Sequence, residues 1–92
     1  MSRQTILLSA TQIKNAKPKD KKYKLSDGRG LFLLINSNGS KLWRFKYRFN
    51  DKEKEYAIGI YPDISLVNAR EKREEFRKLI ANGIDINELK KE

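Results

Sequence analysis

Ninety-two residues with no cysteine and no histidine carry 21 Lys and Arg against 12 Asp and Glu, a formal net charge of +9 at pH 7. That length makes one small domain with little room for a deep catalytic cleft, and the absent residue types exclude disulfides, thiolate metal sites and the commonest general base and metal ligand. The longest wholly apolar run, Leu31 to Ile35, is far too short to cross a bilayer, and the N-terminus makes a poor signal peptide, so a cytoplasmic chain without membrane contact or cofactor is expected.

In chain order, Thr11 stands where it can cap a short helical turn over residues 12–16, which stops before Pro18 because the residue preceding proline avoids the α region. Residues 17–24 are lysine-rich and read as an exposed arm. Residues 26–30, SDGRG, have turn chemistry, with two glycines free to adopt positive φ. Strands are expected at residues 31–36, 41–49 and 54–60, joined by turns at 37–39 and 50–53, giving an antiparallel meander. Pro62 ends the sheet and Ser65 caps a helix running over residues 66–82. Leu66, Ala69, Phe76, Leu79 and Ile80 form its apolar stripe, with Arg70 and Arg73 on or beside it, and Gly83 stops it. The expected fold is α+β: a three-stranded antiparallel sheet packed against one C-terminal helix, preceded by a short N-terminal helical turn. Residues 1–85 make the domain, and the polar residues 86–92 begin a linker or another helix.

The central strand reads KLWRFKYRF. Trp43, Phe45, Tyr47 and Phe49 fall on one parity, and Arg44, Lys46 and Arg48 on the other. The amphipathic helix needs an apolar partner, each aromatic buries roughly 150–250 Å² when covered, and unpaired basic residues almost never go inside. The aromatic face therefore goes in and the basic row out. A four-residue loop at 50–53 sets Tyr47 opposite Tyr56 and Phe45 opposite Ile58, with Tyr56, Ile58 and Ile60 in the core. A three-residue first turn with Gly39 left-handed pairs Leu33 with Trp43 and turns Phe32 and Leu34 outward, whereas a two-residue turn would reverse that parity.

The charge is regional. Residues 1–60 hold 14 basic and 5 acidic side chains, and residues 61–92 hold 7 of each. A basic surface confined to one part of a domain suggests a polyanion. A bare basic sheet suits a DNA major groove, where arginine pairs with guanine, lysines meet phosphates and apolar groups meet thymine methyls. Arg44, Lys46 and Arg48 are the central candidates. Lys41, Lys52 and Lys54 are placed to reach phosphates from the strand ends, and Lys22, Lys24 and Arg29 to touch backbone beside the sheet. Two alternatives stand. An RNA-binding sheet would stack bases on exposed Trp43 and Tyr47. A protein docking module would use the helix stripe.

Five segments in order, IKNAKP (13–18), LSDGRGLFL (25–33), GSKLWRFKYR (39–48), IGIYPDISLVNAR (58–70) and GID (83–85), together resemble the N-terminal arm-type DNA-binding domain of phage and prophage integrases of the tyrosine recombinase family. The resemblance covers roughly residues 8–85. It implies double-stranded DNA as partner, at arm-type sites flanking a phage attachment site, with a three-stranded sheet docked into the major groove. It also implies a longer parent chain with core-binding and catalytic regions, association with other integrase protomers, and a role in integration and excision. The family's tyrosine nucleophile and its assisting arginines and histidines lie in that catalytic region, so no catalytic residue carries over to this chain.

Overall fold

The computed structural model describes residues 8–90. Its sheet has four antiparallel strands in the order β1-β2-β3-β4, namely β1 (Tyr23–Gly28), β2 (Leu31–Ile35), β3 (Lys41–Phe49) and β4 (Lys52–Tyr61). Three helices accompany it: α1 (Ala10–Asn15), α2 (Leu66–Ala81) and α3 (Ile86–Lys90).

The α+β class stands, but the sheet has one strand more than the sequence predicts. The extra strand, β1, takes in the end of the lysine-rich arm and the start of SDGRG. Tyr23 and Leu25 face the core side opposite Ile35 and Leu33, while Lys24 and Ser26 face away opposite Leu34 and Phe32. Only two apolar residues alternate, and a register shift between Ser26 and Gly28 interrupts the ladder. The helical turn also starts earlier than Thr11 suggests. Ser9 is the N-cap, its hydroxyl accepting from the Gln12 amide at 3.1 Å, and Ile13 is then fully buried.

Between β2 and β3 the expected register holds. Leu33 pairs with Trp43 and Leu31 with Phe45, and Gly39 sits at φ +97° in the connecting turn. Between β3 and β4 it differs. Asn50 and Asp51 both have positive φ and form a two-residue connection, so β4 begins at Lys52 and Phe49 faces Lys52. Asn and Asp tolerate the left-handed region, and such turns match the twist of the flanking strands. The resulting offset is two residues, which preserves parity, and Tyr56 still lies on the core side, opposite Phe45.

A bulge between Trp43 and Arg44 then inserts an extra residue into β4. Ala57 faces Arg44 and Gly59 faces Trp43, so Ile60 comes to lie opposite Leu42 on the outer side. Ile60, expected in the core, is 54% exposed. A Cβ on Gly59 would sit 2.6 Å from Ile64 Cγ1; glycine here lets Ile64 close over the end of the sheet, where its carbonyl accepts from the Trp43 indole at 2.8 Å.

All three helices pack on the aromatic side of the sheet. Ile13, Leu66 and Ala69 join Leu31, Leu33, Ile35 and Trp43 in one cluster, and Phe76 and Ile86 join Phe45 and Tyr47 in a second. Phe76 packs against Phe45 and Tyr56 with ring centroids 5.8 and 4.8 Å apart. The tail beyond Asp85 thus turns helical at once and buries Ile86. Because Trp43 is wholly inaccessible, we expect acrylamide to quench its fluorescence far less than that of free tryptophan. A quenching constant near the free value would contradict this packing and restore the base-stacking alternative.

Candidate nucleic-acid interface

With the helices on one side, the other side of the sheet carries no helix among the described residues. Strand pairing arranges its side chains in cross-strand rows. The first row is Lys24, Leu34, Leu42 and Ile60; the second is Ser26, Phe32, Arg44 and Ala57; the third is Lys46 and Glu55; the fourth is Arg48 and Glu53. The face is therefore graded, apolar at one end and charged at the other. Phe32 looks outward, as its parity requires, yet it is only 7% exposed. The Lys24 ammonium lies 4.8 Å from its ring centroid, an arrangement that covers the aromatic and keeps the charge wet.

Arg44, Lys46 and Arg48 stand in line along β3 on this face. Arg44 meets Glu55 at 3.3 Å and Arg48 meets Glu53 at 3.9 Å, all four side chains being a third exposed or more. Ion pairs of that kind contribute only about 0–1 kcal/mol. Both guanidiniums are held pointing outward, and either can exchange its carboxylate for a stronger anion at little cost.

The remaining candidates divide. Lys24 belongs to the outer face, and Lys22 is exposed immediately before β1. Lys52 is exposed at the hairpin end. Arg29 is exposed but turns toward α2, 3.8 Å from Glu74. Lys41 and Lys54 lie on the helix side, which strand parity sets: Lys54 faces Tyr47, and opposite Phe49 it would have shared that side. The Lys41 ammonium donates to the carbonyls of Ile13 at 2.7 Å and Lys14 at 3.4 Å, capping the end of α1. That of Lys54 binds the Asp85 carboxylate.

Two polar clusters that the sequence pattern does not show lie behind the outer face of the sheet. In the first, Asp27 is buried where the β1 ladder is interrupted. Its carboxylate accepts from the Leu8 amide at 2.8 Å, from Arg70 Nε and Nη2 at 2.8 Å each, and from Arg73 Nη1 at 3.2 Å. Burial alone would raise its pKa. The Arg70 hydrogen bonds, the Leu8 amide and the two positive charges override that and hold it below the usual carboxylate range. A signal was present in the sequence: two arginines on an apolar helix stripe require a buried acid.

In the second cluster Asp85 accepts from the Tyr47 hydroxyl at 2.5 Å and from Lys54, while the Asn87 side chain donates to Tyr47 Oη at 2.7 Å and to the Glu55 carbonyl at 3.0 Å. Lys54, then Tyr47, hold the Asp85 pKa down. Burial, reinforced by the bond to Asp85, pushes the Tyr47 hydroxyl up to about 12. These contacts fasten α3 to the back of the strands that carry Arg44, Lys46 and Glu55.

Residues 8–92 match the family described as the arm DNA-binding domain. The chain belongs to that family. It is 48% identical over 87 residues to the integrase of Enterobacteria phage P4, covering 92% of this chain and 20% of that protein. It is 51% identical over 88 residues to prophage integrase IntZ of Escherichia coli (strain K12), covering 92% of this chain and 22% of that protein. Prophage integrase IntA of the same strain is 48% identical over 94 residues, covering all of this chain and 23% of that protein. The arm DNA-binding domain thus spans about a fifth of each of these integrases. Among its described residues no helix is long and apolar enough to cross a membrane.

Proposed function

We infer that this arm DNA-binding domain binds double-stranded DNA sequence-specifically through the outer face of its sheet, laid into the major groove of arm-type sites beside a phage attachment site. It would thereby support integration and excision by a longer tyrosine recombinase, acting with other protomers of that protein. The observation that carries this reading is the outward row Arg44, Lys46 and Arg48 along β3, whose two arginines are held only by exposed surface ion pairs.

Dimensions favour it. Three strands about 4.8 Å apart span roughly 10 Å, close to the major-groove width of about 12 Å. With β3 over the bases, β2 and β4 fill the groove, and β1 falls at its rim. Lys22 and Lys24 then meet the phosphate backbone, Lys52 meets it from the hairpin end, and Arg29 serves only if it leaves Glu74. Lys41 and Lys54 drop out of the contact set, because their ammonium groups hold α1 and Asp85. The folded unit that binds extends past residue 85 to include α3, with any linker beginning after it.

The test begins with selection from a random duplex library using the 92-residue chain. The affinity for the selected duplex is then measured across a salt series. Neutralisation of about five phosphates gives a slope of log K against log salt of about −4 to −5. Failure to enrich any duplex, or tighter binding to single-stranded RNA of the same sequence, would overturn the proposal.

A further inference from the structure

The bulge in β4 does more than relieve a register. In the register that runs from Phe49 to Arg44, Ile60 would face the helices. The extra residue at the bulge sends it to the outer side, opposite Leu42, which in turn lies opposite Leu34. Ile60, Val67 and Leu89 are the exposed large apolar side chains among the described residues, and only Ile60 stands in the sheet. The first outer row is thus three aliphatic side chains across β2, β3 and β4, with Lys24 at its β1 end and Arg44 in the next row. A protein seeking only stability gains nothing by leaving an isoleucine more than half exposed to water.

We propose that Ile60, seated beside Leu42 by the bulge, is a specificity-determining residue that receives the C5-methyl group of a thymine in the bound duplex. The inference rests on the DNA-binding function argued above and adds a base to it. The occupant is fixed by what surrounds the row. Lys24 and Arg44 flank it with positive charge, so the partner presents an anionic backbone together with a small apolar projection. In the major groove only thymine supplies such a group. Alternate residues on one face of a strand are about 7 Å apart, which is about two base-pair steps of 3.4 Å. With β3 running along the groove, the thymine lies about two base pairs from the base that Arg44 reads.

The test deletes the methyl group and the side chain separately. In the duplex enriched by the wild-type chain, each thymine is replaced in turn by deoxyuridine, and affinities are measured for wild type and Ile60→Ala. Loss of one well-packed methyl, about 0.8 kcal/mol, predicts a roughly fourfold loss for wild type at one position or two adjacent ones. Ile60→Ala should weaken binding to the thymine duplex to a similar degree and show no further loss when that same thymine becomes deoxyuridine. Thermal melting of Ile60→Ala checks that the fold is intact, and the deoxyuridine scan of wild type stands whether or not the variant folds. The proposal fails if wild type tolerates every deoxyuridine substitution, or if Ile60→Ala loses as much again on the deoxyuridine duplex. Failure of wild type to enrich any duplex would remove the DNA-binding function itself, whereas a tight duplex with no methyl dependence removes only the role given to Ile60.

Discussion

Asp27→Asn will be among the most destabilising single substitutions in this domain, costing about 3–5 kcal/mol, the usual loss when one partner of a buried ion pair is removed. The replacement is nearly isosteric, so no cavity opens. Instead an amide nitrogen is set against donors. The carboxylate takes both bonds of the Arg70 fork, one from Arg73 and one from the Leu8 amide. A single amide oxygen cannot serve them all, and Arg70 is left without a counter-charge, Arg73 retaining Glu74, at a site where the acid's side chain is fully buried. For a domain of this size each kcal/mol moves the midpoint by about 4–8 °C, so a fall in Tm of about 12–40 °C is expected by circular dichroism. Because Arg70 Nη2 also donates to the Leu8 carbonyl at 2.8 Å, the substitution should release Leu8 from the sheet before global unfolding, and hydrogen exchange of its amide will speed up. A change under 1 kcal/mol would mean that the cluster is as dispensable as a surface pair.

The same site gives a pH signature. The Asp27 pKa is lowered in the folded chain, so its contribution is present above the unfolded value of about 3.9 and is lost as pH falls through the folded value. Wild type will therefore lose stability below about pH 4. The Asn variant, already lacking that contribution, will show a shallower acid limb.

The sequence makes the faces of the middle strand legible, because aromatic and basic residues alternate through KLWRFKYRF and only one parity can be buried. The first hairpin is legible too, since Gly39 fixes the parity that sets Leu33 against Trp43. β1 is not. Its alternation is two residues deep, it opens in a lysine run, and what holds its end is a carboxylate bound to helix residues 43 and 46 positions away, a contact that no local pattern contains. The second hairpin is shorter than its sequence suggests, because Asn50-Asp51 adopts a two-residue turn unaided while Lys52 and Glu53 have loop composition. The bulge, invisible to periodicity, then moved Ile60 across the sheet.

Strand parity redistributes the candidate site. Counting basic residues near strand ends places Lys41 and Lys54 beside Arg44 as phosphate contacts. Register separates them: residues on the aromatic parity of β3, and those facing them on β4, belong to the helix side whatever their charge. Lys41 is the first residue of that parity, and Lys54 faces Tyr47. What the geometry leaves outward is a narrower set, Lys24, Arg44, Lys46 and Arg48, beside an aliphatic row.

Replacing Arg44 and Arg48 together by alanine should reduce affinity for the selected duplex by at least about 30-fold. A good bidentate arginine–guanine contact is worth about 1–3 kcal/mol, so two such losses span about 2–6 kcal/mol, and 1.4 kcal/mol is tenfold. The fold has little at stake, since each arginine is partnered on the surface by one glutamate, and the melting temperature should move by only a few degrees. A loss of charge anywhere on a basic domain weakens DNA binding through counterion release, so the decisive comparison is a second double variant with the same charge change. Arg77→Ala/Lys78→Ala serves, because both residues are exposed on α2, on the side of the sheet away from the outer rows. It should cost only a few-fold. Equal losses for the two double variants would mean that net charge rather than the sheet face does the binding. A loss confined to the helix variant would move the interface to α2. Glu55→Gln sharpens the comparison further. It frees Arg44 from its carboxylate and removes a negative charge from the third row. If the sheet meets DNA, that variant binds as tightly as wild type or tighter.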